Sequence, residues 1–163
     1  MQHAQIFVNL PITDMARSQA FYTALGYHFN PDFTNEQGAC LVLGENLFAM
    51  LLVKPFFQGF TSRTIADAHQ SAQVLVALPC ADRAAVDTLV QGAIAAGGKA
   101  HRPQQDLGFM YSQAFEDPDG HIWEPFWMDP QARPPQGWLQ LVQRVVVGFD
   151  AGQPLALLRA CQL

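Results

Sequence analysis

Apolar residues in the first half of this chain fall into short runs broken by turn formers, and the second half repeats the arrangement. Residues 6–12 are apolar-rich around Asn9 and Pro11 and read as a strand. Thr13 or Asp14 caps a predicted helix that runs to Leu25, turns Met15, Phe21, Tyr22 and Leu25 toward the core, and stops at Gly26. Residues 27–33, 39–43 and 47–53 follow as strands, separated by Asn35-Glu36-Gln37-Gly38 and Gly44-Glu45-Asn46. A connector then holds Phe56, Phe57 and Phe60 among Pro, Gly, Ser and Thr. Beyond it, 73–78 is strand-like, and Asp82 caps a helix in which Val86, Leu89, Val90, Ala93 and Ile94 recur at helical spacing until Gly97-Gly98. Strands over 99–102, 109–115 and 121–127 complete the second series.

The order β-α-β-β-β thus occurs twice, which predicts an internal duplication and an α+β fold. The first module covers 5–54, the connector 55–71, the second module 72–128, and a C-terminal extension 129–163. In the extension, Pro130, Pro134, Pro135 and Gly137 read as a linker. Trp138, Leu141, Val142, Val145 and Phe149 share one face of a predicted helix, with a short second helix from Pro154.

Asp117-Pro118-Asp119-Gly120 is turn chemistry ahead of the last strand, and that strand carries one carboxylate, Glu124, among large apolar neighbours. A carboxylate so placed must reach water, find a partner, bind a metal or change its pKa, which makes Glu124 the first functional candidate. Half of the 163 residues are hydrophobic and 14% are charged, which fits a compact globular protein. The net charge of −5, with no basic cluster, argues against nucleic acid as a partner. No apolar run is long enough to span a membrane, and the N-terminus shows no secretory signal. Cys40, Cys80 and Cys161 are odd in number and lie among apolar residues, as expected of free thiols in a cytoplasmic protein.

Two βαβββ modules, Phe21-Tyr22-Thr23-Ala24-Leu25-Gly26-Tyr27 at a helix end and Glu116-Asp117-Pro118-Asp119-Gly120 ahead of Glu124 resemble the vicinal oxygen chelate superfamily. That superfamily includes glyoxalase I, extradiol dioxygenases, and bleomycin- and fosfomycin-resistance proteins. The resemblance covers residues 5–128. It implies two modules curled around a shared cavity, common homodimerisation, and, in metal-binding members, a ligand on the first and last strand of each module.

Those four positions fall on Phe7, Met50, Gln73 and Glu124. Phe7 offers no donor and the Met50 thioether is soft, so Gln73 and Glu124 alone are left for a divalent ion, and no metal or other cofactor is expected. With strand alternation, the resemblance predicts a ligand-binding wall of Phe7, Asn9, Phe48, Met50, Gln73, Leu75, Tyr111, Ile122, Glu124 and Phe126, with Glu124 the candidate catalytic or ligand-facing acid. Its other reading is a structural hydrogen bond to Gln73 or Tyr111. The expected function is a homodimeric receptor for a small, mostly apolar organic molecule. The alternatives are a divergent lyase, isomerase or dioxygenase using Glu124 as base or metal ligand, and a structural role with the cavity filled.

Overall fold

A computed structural model describes residues 2–132 of the chain. Strands β1 (Ile6–Ile12), β2 (His28–Asn30), β3 (Gly38–Gly44) and β4 (Leu47–Val53), with helix α1 (Met15–Ala24), form the first module. A five-residue helix, α2 (Lys54–Gln58), opens the connector. Strands β5 (Leu75–Pro79), β6 (Lys99–Asp106), β7 (Met110–Glu116) and β8 (Ile122–Met128), with helix α3 (Arg83–Ala95), form the second. The sheets have the orders β1-β4-β3-β2 and β5-β8-β7-β6. In each, the first and last strands pair in parallel and the rest are antiparallel. The duplicated α+β fold is therefore present. The helices predicted around Trp138 and Pro154 lie outside the described residues, as does Cys161.

Three boundaries differ from the sequence-based expectation, each for a local reason. The strand predicted over 27–33 stops at Asn30, because Pro31 lacks a ladder N–H and the Asn30 side chain accepts from the Asp32 N–H to start a 3-10 turn. β5 starts at Leu75, opposite Ile122. Residues before Ile122 form the Asp117–Gly120 turn, so Gln73 has no strand partner and lies exposed in the connector. β6 extends to Asp106, with two register shifts against β7.

The two long helices, α1 and α3, begin and end alike. Asp14 accepts from the Arg17 N–H and Asp82 from the Ala85 N–H, satisfying donors at the first turn. At the other end, Gly26 (φ +89°) and Gly97 (φ +103°) take the left-handed position. The next N–H groups, of Tyr27 and Gly98, reach back to Tyr22 O (3.1 Å) and Ala93 O (2.8 Å).

One hydrophobic core joins the modules: Leu10, Ile12, Phe21, Tyr22, Leu41 and Leu51 pack with Val90, Ala93, Phe115 and Trp123. Polar ties reinforce it at the Asp117–Gly120 turn. Asp117 Oδ1 accepts from the N–H groups of Asp119 and His121, and Oδ2 accepts from Tyr22 Oη at 2.6 Å. Burial, then the neighbouring Asp117 charge, pushes the Tyr22 hydroxyl well above its ordinary pKa, so it stays a donor. Asp119 accepts from the Thr13 N–H (2.8 Å), Arg17 Nη2 (2.9 Å) and Ser18 Oγ (3.2 Å). His121 Nε2 lies 2.8 Å from Pro11 O. The turn therefore holds the start of α1 against the second module, a role its sequence does not announce.

Gly120 closes that turn at φ +90°, and a Cβ there would meet His69 Nδ1 at 2.7 Å and the His69 backbone N at 2.8 Å. Gly120→Ala is expected to lose about 1–2 kcal/mol from conformation alone, and more from the contact with the connector. A urea titration that finds the variant as stable as the parent would contradict this.

Candidate functional site

Strand alternation divides each sheet into a face against the core and a face turned away from it. On β1, Leu10 and Ile12 enter the core, so Phe7 and Asn9 occupy the opposite face. Parallel pairing sets Phe7 beside Phe48 and Asn9 beside Met50. The Phe7 and Phe48 rings stack at 4.7 Å with 14° between their planes. On β8, Trp123 and Pro125 are buried against the core, and alternation sets Glu124 and Phe126, with the buried Ile122, on the opposite face. Leu75 and Ala77 of β5 pair with Ile122 and Glu124. Phe7 is 49% exposed and Leu75 52%, so the described residues do not close over these faces.

Two predicted wall residues lie elsewhere. Gln73 precedes β5, as its ladder register dictates, and Ala77 stands beside Glu124 instead. Tyr111 pairs with Trp127, while Ser112 pairs with Phe126, so Ser112 shares the Glu124 face and Tyr111 turns toward α3. There its hydroxyl donates to Asp87 at 2.6 Å, and its ring lies 5.1 Å from the Arg83 guanidinium. Neither residue is the partner of Glu124.

That partner is Arg102, which the sequence reading did not single out. Its Nη2 lies 3.1 Å and its Nε 3.4 Å from Glu124 Oε1, and Nη2 also approaches Ser112 Oγ at 3.4 Å. Both side chains are about four-fifths buried. A β-bulge brings them together. Ala100 pairs with Phe115, but Arg102 pairs with Ala114, so two steps on β6 match one on β7. Unbroken pairing would have set Arg102 opposite Gln113, on the α3 side. The intervening residue, His101, turns its Nδ1 to Glu116 Oε1 at 2.7 Å.

The chemistry of these faces suits a metal poorly. The strand positions that would converge on an ion present Phe7 or Asn9, Phe48 or Met50, Leu75 or Ala77, and Glu124: one carboxylate, one amide and a thioether. A divalent ion of the zinc, nickel or iron kind needs three or four nitrogen, oxygen or thiolate donors. Glu124 already faces a cation, the Arg102 guanidinium. Elsewhere, Phe56 and Phe60 of the connector meet edge to face at 5.2 Å and, with Gln37, Val53, Pro55 and Gly59, line an open recess of about 360 Å³.

Residues 5–44 match the family described as bleomycin resistance protein-like N-terminal. Among curated proteins, no sequence matches the chain. Solved structures with the same fold include a hypothetical protein from S. aureus, at TM-score 0.67 and 22% identity over 78% of this chain and 95% of that one. A glyoxalase-related enzyme from Fulvimarina pelagi aligns at TM-score 0.66 and 22% identity, over 78% and 88% of the two chains. A glyoxalase/bleomycin resistance protein/dioxygenase family enzyme from Burkholderia phytofirmans aligns at 0.64 and 19%, over 76% and 97%.

Proposed function

From the vicinal oxygen chelate fold that this chain shares with glyoxalase and bleomycin-resistance structures, we propose a receptor for a small, mostly apolar organic molecule that works without a metal. One observation carries this reading. The faces that would meet a ligand are built from Phe7, Phe48, Met50 and Phe126, and their one carboxylate, Glu124, is paired with Arg102 instead of standing in a set of metal donors. An apolar surface with a few fixed polar groups is the usual make-up of a small-molecule site. Faces as open as these cannot surround a ligand, since Phe7 and Leu75 are half exposed. A second copy of the chain supplies the missing wall in this reading, making the protein a homodimer. No helix among the described residues is long and apolar enough to cross a membrane. Free thiols at Cys40 and Cys80 agree with a cytoplasmic setting.

The test combines three measurements on the full chain. Light scattering should give twice the 18.0 kDa chain mass. A thermal-shift screen of hydrophobic metabolites and antibiotics should yield ligands that raise the melting temperature, by about 2.7 kcal/mol of stabilisation at a hundredfold excess over Kd. Elemental analysis should find no stoichiometric metal. One nickel, zinc or iron per chain, or no response across a broad library, would overturn the proposal.

A further inference from the structure

Resting on that reading of the open face, we propose that Arg102 is a positioning residue for Glu124, and that the ligand carries a hydrogen-bond donor, best a protonated amine. The geometry is one-sided. Both Arg102 contacts go to Glu124 Oε1, at 3.1 and 3.4 Å, and no described residue donates to Oε2. Ser112 Oγ lies within 3.4 Å of the guanidinium and helps to fix it. Glu124 is thus held at one oxygen and keeps 22% of its side chain exposed, with Ile122 and Phe126 on the same face of its strand. An immobilised carboxylate oxygen among apolar groups is an acceptor awaiting a donor, and the match is strongest when that donor is charged.

The same atoms argue against an anionic ligand. The one guanidinium nitrogen without a partner, Arg102 Nη1, is sealed from solvent, and Nε and Nη2 are already turned to Glu124 and Ser112. A carboxylate or phosphate arriving here would meet the free oxygen of Glu124 first. The bulge in β6 gives the pairing its purpose in this account: it turns an arginine from the α3 side to the ligand side.

Three probes of one shape separate the possibilities: 2-naphthylmethylamine, 2-naphthalenemethanol and 2-naphthoate, titrated calorimetrically at pH 7 into the full chain and into E124Q, R102K and R102M. The amine should bind about tenfold more tightly than the naphthoate, with the alcohol between them. E124Q should abolish the amine's advantage. R102M should weaken amine binding about tenfold, while R102K should restore most of it, which a merely structural arginine would not require. Melting curves establish that each variant is folded, and if R102M is not, E124Q and R102K still decide. Tightest binding of naphthoate, or an unchanged amine preference in R102M, would overturn the assignment. Binding of all three probes with no order among them sinks this inference alone. Failure of every probe to bind the parent protein removes the receptor reading together with it.

Discussion

Trp123→Ala is expected to destabilise the protein by about 3–5 kcal/mol, the usual range for truncating a buried tryptophan. Trp123 is 1% exposed and stands where the two halves meet. Its ring lies 5.6 Å from Tyr22 of α1 and 6.5 Å from Phe115 of β7, nearly parallel to the latter. The change would open a cavity bordered by both modules, so the loss should fall on the whole core. Far-UV circular dichroism and intrinsic fluorescence should therefore trace one coincident urea transition in the parent and in the variant. Two separated transitions in the parent, or a loss below about 1 kcal/mol in the variant, would mean that the halves are stable independently.

Asp119→Ala is expected to cost about 2–3 kcal/mol, chiefly because one buried donor and one part-buried donor lose their acceptor. The donors are the Thr13 N–H and the Ser18 hydroxyl. Arg17 counts for less, since its side chain is 46% exposed and its charge is screened. Acid should reveal the same contact. Burial would raise the Asp119 carboxyl, but hydrogen bonds from Thr13 and the Arg17 charge hold it below its ordinary value. A carboxyl lowered by folding stabilises the protein above its unfolded pKa, and the benefit is lost as pH falls through the folded value. The urea midpoint of the parent should accordingly drop on acidification into and below the ordinary carboxylate range. Asp119→Asn should start lower at neutral pH and fall less steeply. Parallel acid profiles for the two proteins would show that Asp119 titrates as it does in the unfolded chain.

What the sequence revealed and what it concealed follow from the range of the forces involved. Helix caps at Asp14 and Asp82 and the stops at Gly26 and Gly97 are local chemistry, and they stand within a residue or two of where the pattern put them. The repeated order of elements was legible for the same reason. Gln73 and Tyr111 were misplaced because the face a strand residue occupies depends on register with a partner strand. The ladder opens at Leu75 opposite Ile122, and Tyr111 sits opposite Trp127. Arg102 was missed because a bulge sets its direction, and nothing in Lys99 to Asp106 advertises an extra residue. The Asp117 and Asp119 carboxylates were read as turn formers. Their bonds to Tyr22, Thr13 and Ser18 span 95 to 106 residues, beyond the reach of any local pattern.

Those long spans also order events on the ribosome. The partners of Pro11 and Thr13 follow them by 110 and 106 residues. At about 5–20 residues per second, roughly 5–20 s pass between the synthesis of β1 and that of the turn that secures it. During that interval the nascent first half presents Phe21 and Tyr22 without the rings that later cover them, so translation speed through the second half sets how long chaperones must shield it.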